Sequence, residues 1–99
     1  MLSSFINEAQ DITTTSSKVL PDRSSLNQRR LSFIITNTGA TNIWLGIDKE
    51  AVVGSGIPLY PGGSLERVAN GQFLPPQKAI NAISSAAGGT ISVFEEVLN

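Results

Sequence analysis

Two acidic groupings are the first places to look for chemistry: Asp48-Lys49-Glu50 and Glu95-Glu96. A Ca²⁺ site gathers about six to eight oxygens in one loop. Asp48 and Glu50, with a lysine between them, fall short of that and read as a solvated turn. A glycosidase pair faces itself across a cleft. Neighbouring residues of a strand point to opposite faces, so Glu95 and Glu96 do not form one. One of the two must face inward or sit at a sheet edge, where an inward charge discourages aggregation. Serine is plentiful, but the chain has no His and no Cys. The commonest general base, the thiol nucleophile and the commonest metal ligands are therefore absent. Lys18, Lys49 and Lys78 stand in no Ser-x-x-Lys arrangement. Gly54-Ser55-Gly56 and Gly62-Gly63-Ser64 lack the following lysine and helix of a phosphate loop. They read as turns. The expectation is a protein with no catalytic, cofactor or metal site, and not an enzyme.

Arg29-Arg30 is the one basic pair. The first thirty residues hold four basic groups (Lys18, Arg23, Arg29, Arg30) and three acidic ones (Glu8, Asp11, Asp22), a net of +1. Each phosphate contact needs its own cation, so nucleic acid is not an expected partner. The arginines are expected to flank the first core strand and pair with acidic neighbours. Trp44 and Tyr60 are single residues of their types. Trp44 has two readings: an outer-face partner contact, or a side chain packed inside the sandwich if the register shifts by one. Stacking on a sugar ring, with Asn42 supplying hydrogen bonds, is a further use for it.

The elements that must position these residues follow from composition and pattern. At 99 residues the chain is one domain with one modest core. Net charge is −1, and charged residues are 15% of the chain, below the ~25% of an average globular protein. Polarity comes instead from 12 Ser, seven Thr and seven Asn. Such a neutral surface tolerates close, permanent neighbours. No apolar run spans a bilayer, and the N-terminal residues do not read as a signal peptide.

Residues 1–28 are poor in large apolar side chains, with an unbroken Ser/Thr run from Thr13 to Ser17. Pro21 and the Asp22-Arg23-Ser24-Ser25 cluster read as a turn or linker. This predicts an extended N-terminal arm over 1–28, contributing at most one edge strand, before a domain over 29–99. From Arg29 the period is two: Leu31, Phe33 and Ile35 alternate with Ser32, Ile34 and Thr36, and then Ile43, Leu45 and Ile47 with Trp44 and Gly46. The turn Asn37–Thr41 between them, with Gly39 available for positive φ, predicts a hairpin. Pro58 makes Ile57-Pro58-Leu59-Tyr60 an edge or irregular segment. Ser64–Val68 reads as a strand, and Gly88-Gly89 closes Lys78–Ser85 and Thr90–Val97 into a second hairpin. Short strands at intervals of about 8–12 residues mean an all-β fold. The expected form is a small antiparallel β-sandwich, jelly-roll-like or immunoglobulin-like, with no internal repeat.

Several of these stretches recur together. The run from Arg29 to Gly39 and Asn42-Ile43-Trp44-Leu45-Gly46, then Gly56–Leu59 and Tyr60–Leu65, and finally Ala79–Ser85, resembles small β-sandwich virion proteins of bacterial and archaeal viruses. The matching positions are turn and strand residues. They cover residues 29–96, and no catalytic residue comes with them. The resemblance implies a capsid decoration protein, a minor capsid or vertex component, or part of a fibre.

The expected function is thus a non-enzymatic structural protein of a virus particle, made in the host cytoplasm and located in the virion. Its partners are other copies of itself and other virion proteins, with no membrane segment. The contacts are assigned to Trp44, Tyr60, Arg29 and Arg30 of the domain and to Ile12 and Val19 of the arm. The alternative is a carbohydrate- or receptor-binding module on a virion or cell surface, with Trp44 or Tyr60 stacking on a host glycan.

Overall fold

In the computed structural model, residues 2–24 and 28–99 are described; Ser25 of the expected linker lies outside them. Eight strands follow one another: β1 Ser3–Ile12, β2 Ser17–Leu20, β3 Arg29–Asn37, β4 Ile43–Ile47, β5 Ile57–Leu59, β6 Ser64–Val68, β7 Ile80–Ser84 and β8 Gly89–Leu98. They form two four-stranded sheets, sheet A in the order β1-β8-β3-β6 and sheet B in the order β2-β7-β4-β5. Every pairing is antiparallel. The all-β sandwich is as expected, and the strand order is that of a jelly roll, two Greek keys folded face to face.

The expected hairpins are not hairpins. β3 belongs to sheet A and β4 to sheet B, and β7 and β8 are split in the same way. Each short turn carries the chain across the sandwich rather than along one sheet. Alternation marks which side chains point inward, but both inner faces of a sandwich are apolar. A strand with its apolar face inward fits either sheet equally well. Only β4 and β5 are both consecutive and paired.

The turn Asn37–Thr41 works through Asn37, which is buried. Its side-chain amide donates to the carbonyls of Thr41 at 2.7 Å and Leu59 at 2.8 Å, and its side-chain oxygen accepts from the Gly39 amide at 3.0 Å. Positive φ is not what Gly39 provides, since it is not among the residues with φ > 0. A Cβ there would meet Thr90 Oγ1 at 2.8 Å, so the glycine is needed for close approach.

The expected arm is also corrected. Residues 3–12 pair along their whole length with β8, and residues 17–20 pair with β7. β1 and β2 are outer strands of the two sheets, so the domain begins near Ser3 rather than at Arg29. The sequence looks arm-like because an edge strand buries little of its surface. Only Ile6, Gln10 and Ile12 of β1 escape full exposure. Ile12, Val19 and Leu20 nevertheless join Phe33, Ile35, Ile43, Leu45, Leu59, Ile80, Ala82, Ile91 and Val93 in one core. Leu31, expected inside, is displaced by a bulge between Arg30 and Ser32. That extra residue turns both Arg30 and Phe33 inward.

Candidate functional site

Glu95 is the inward member of the Glu95-Glu96 pair and is fully buried. It lies on β8, a central strand, where it blunts no edge. Arg30 Nε meets its Oε2 at 2.6 Å, and Arg23 Nη2 meets its Oε1 at 2.9 Å. Arg30 donates further to the carbonyls of Pro76, Lys78 and Pro21. Gln77 closes the cluster by accepting from the Arg30 amide and donating to the Arg30 carbonyl. Arg30 also lies 5.7 Å from the centroid of the Phe33 ring. The cluster ties the segments around Pro21–Arg23 and Pro75–Lys78 across one end of the sandwich. Both Glu95 oxygens are taken by arginine donors, which suits a buried charge cluster that holds structure; Arg23 Nε is the one buried side-chain nitrogen among the described residues that finds no partner.

Three of the residues assigned to contacts therefore point into the chain's own interior. Arg30, Ile12 and Val19 are buried. Arg30 is held by Glu95, and the two aliphatic residues belong to edge strands that read as an arm. Arg29, one residue away and pointing the opposite way, is exposed. Tyr60 is exposed as well. Trp44 is half-buried on the outer face of sheet B, with Ile43 and Leu45 inward, so the register read from the sequence holds. Its cross-strand neighbours are Pro58 and Ile83, which cover its flanks with apolar surface.

Among the described residues, two surface clefts stand out. One of about 410 Å³ lies between Asp11–Thr14 and the β7–β8 turn Ala87–Thr90. The other, about 230 Å³, is lined by Leu45–Ile47, Lys49, Glu50 and Ser55–Ile57. Among the described residues no three His, Cys, Asp or Glu side chains gather as metal ligands.

Sheet A presents exposed apolar side chains on its outer face. Across its outer face, Phe5, Glu96, Ser32 and Val68 form one row, and Asn7, Phe94, Ile34 and Glu66 the next. Phe5 is 57% and Val68 61% exposed, and the Phe5 and Phe94 rings lie 6.1 Å apart. The edges of this sheet are also open. The Asn99 amide donates to the Leu2 carbonyl, which sets the phase of the antiparallel ladder. Even-numbered residues of β1 bond β8, and Ser3, Phe5, Asn7, Ala9 and Asp11 turn their N–H and C=O groups away from the sheet. At the other edge the Ala69-to-Leu31 and Asn37-to-Gly63 bonds set the same alternation. Ser64, Glu66 and Val68 are the outward residues there.

Sheet B ends differently. The Ser85-to-Asn42 and Asp48-to-Ala79 bonds give Trp44 and Gly46 to β7, and so Ile43 and Leu45 to β5. The outward residue of β5 is then Pro58, which has no N–H. β2 is four residues long, carries Lys18, is irregular between Lys18 and Leu20, and runs into Pro21. Each of these features blocks strand addition. Pro58 was legible as an edge residue. Phe5, Val68 and the openness of β1 and β6 were not, because edge openness depends on pairing across the two Greek keys.

No family model matches the chain, and no curated protein matches it. Among solved structures it is similar to a chain from Bacillus endospore appendages, which are described as forming a novel family of disulfide-linked pili. The likeness has a TM-score of 0.67 at 14% identity and covers 99% of this chain and 87% of that one. At that identity, what the two chains share is the fold.

Proposed function

We propose that this chain is a non-enzymatic structural subunit that acts by binding other copies of itself in a multi-copy assembly. The observation that carries the reading is sheet A, whose two outer strands keep free hydrogen-bonding groups and exposed Phe5 and Val68 beside them. A soluble monomer ordinarily blunts such edges, and this chain uses proline and lysine for that only on sheet B. The similar Bacillus chain comes from a pilus, which is a polymer. That polymer is disulfide-linked; with no Cys, this chain would have to assemble without disulfides.

The sequence resemblance makes a virus particle the first assembly in which to look for it, and the fold likeness makes a surface appendage the second. The glycan reading draws less support. The flanks of Trp44 are Pro58 and Ile83 rather than the Asn, Asp or Arg side chains that would bond a sugar's hydroxyls.

Light scattering coupled to size exclusion, run from micromolar to millimolar protein, tests the proposal. Species larger than a monomer, increasing with concentration, are expected. A monomer throughout, with no multimers by electron microscopy, overturns it.

A further inference from the structure

Resting on that reading, we infer that copies join head to tail, β1 of one copy adding to β6 of the next so that sheet A continues from molecule to molecule. Three features select this pairing over the others that open edges allow.

Direction and pleat come first. The strands of sheet A alternate in direction across the order β1-β8-β3-β6. A β1 placed beside β6 in the same orientation is antiparallel to it. The outward groups belong to Ser3, Phe5, Asn7, Ala9 and Asp11 on one strand and to Ser64, Glu66 and Val68 on the other. All eight carry their side chains on the outer face, as a continuous pleat requires.

Side chains then fix the alignment. Continuing the row Phe5-Glu96-Ser32-Val68 straight across the joint sets Val68 opposite Phe5 of the next copy. Asn7 then faces Glu66, where its amide donates to the carboxylate, and Ala9 faces Ser64. On the other side of the sheet, Ile6 and Leu65 are the half-buried rim residues packed against the core. The joint covers both. Glu8 and Arg67, which are exposed on that same side, become diagonal neighbours within reach of long side chains. In the free chain Arg67 Nη1 donates to the Glu66 carbonyl at 3.0 Å. That carbonyl is released to the incoming strand when Arg67 turns to Glu8.

Charge excludes self-pairing. β1 carries Glu8 and Asp11 and no cation, so two copies of β1 repel. Two copies of β6 centred on their outward residues place Glu66 against Glu66, which is unfavourable directly across a ladder. A joint between two different edges does not close on itself as a two-fold dimer does, so it builds filaments, or rings where the rotation closes.

The test uses proline at outward positions, where the lost N–H faces solvent in the free chain and the monomer keeps its own ladder. Asn7→Pro and Glu66→Pro are each expected to be monomeric by light scattering, with circular dichroism unchanged. Mixed one to one, they are expected to give a dimer and nothing larger, since each supplies the edge the other has lost. Either variant assembling like wild type, or a mixture that stays monomeric, overturns the pairing. If proline prevents folding, the exchange of charges decides. Glu8→Arg or Arg67→Glu alone should weaken association about two- to fivefold, and the double variant should recover it; no recovery overturns the pairing. If wild type assembles and both folded proline variants do too, this joint fails while the structural-subunit reading stands. A wild type that never assembles removes both.

Discussion

At the edge of sheet B, β5 turns a proline outward, and β2 is short, lysine-bearing, bent and followed by Pro21. At the edges of sheet A, β1 runs ten residues without proline or lysine, and β6 turns Ser64, Glu66 and Val68 outward. The inner faces of the two sheets do the same work, each supplying aliphatic side chains to one core. A chain under selection only for a stable monomer gains nothing from protecting one sheet and leaving the other open. The contrast shows that core and edge are separate properties of a β-sandwich, and that the edge carries the information about neighbours.

The change that breaks this comparison most completely is deletion of residues 1–28, which removes β1 and β2 and with them Ile12, Val19 and Leu20 from the core. Three such side chains stabilise by roughly 5–9 kcal/mol, comparable with a net stability of about 5–15 kcal/mol. The truncated chain is expected to lose its cooperative thermal transition. A truncated chain that melts as a folded domain would return residues 1–28 to the status of an arm.

Next in size is Glu95→Gln, which asks whether the centre of sheet A depends on its charge. The substitution keeps shape but leaves Arg30 and Arg23 without their shared carboxylate. Removing one partner of a buried pair costs about 3–5 kcal/mol. Urea unfolding should show a lower midpoint with an unchanged slope, and a loss under about 1 kcal/mol would mean that the pair is dispensable.

These two predictions mark how far the sequence could be read. The strands from Arg29 onward were legible because period two needs only neighbouring residues. Their partners were not, because Leu45 and Phe33 alternate alike although one lies in sheet B and the other in sheet A. β1 and β2 were mistaken for an arm because edge strands expose most of their residues. The Arg30–Glu95 contact was legible in kind, as an arginine pairing with an acid. Its burial was not, since it needs the bulge at Leu31 to turn Arg30 inward. For Trp44 alternation left two readings open, and the burial of Ile43 and Leu45 on the opposite face selects the outer one.

Pro58→Thr sharpens the comparison at the sheet B edge. Its nitrogen faces away from β4, so the new N–H enters no ladder of the monomer and stability should change by no more than about 0.5 kcal/mol. The effect is expected on association instead. A second pairing edge opens, and higher-order species should appear at lower protein concentration, alongside those built through sheet A. Unchanged assembly would mean that Pro58 does not guard this edge.

The smallest effect concerns the link that carries the chain from sheet B towards sheet A. The Ser24 hydroxyl and then the Ser24 amide donate to the Asp22 carboxylate and hold its pKa below the ordinary aspartate value. A carboxyl depressed on folding adds stability above its unfolded pKa and loses it as pH falls through its folded pKa. The loss therefore belongs to the acid side of the ordinary aspartate range and leaves neutral pH untouched. Because Asp22 is fully solvated, its contribution is screened and is better read from a titration than from unfolding. Ser24→Ala keeps the amide bond and removes the hydroxyl, so the Asp22 midpoint followed by NMR should rise without reaching the ordinary value. An unmoved midpoint would show that the hydroxyl bond does not persist in solution, and that the turn after Pro21 is held by the Ser24 amide and by the Arg23 contacts to Glu95, Gln77 and Gln28.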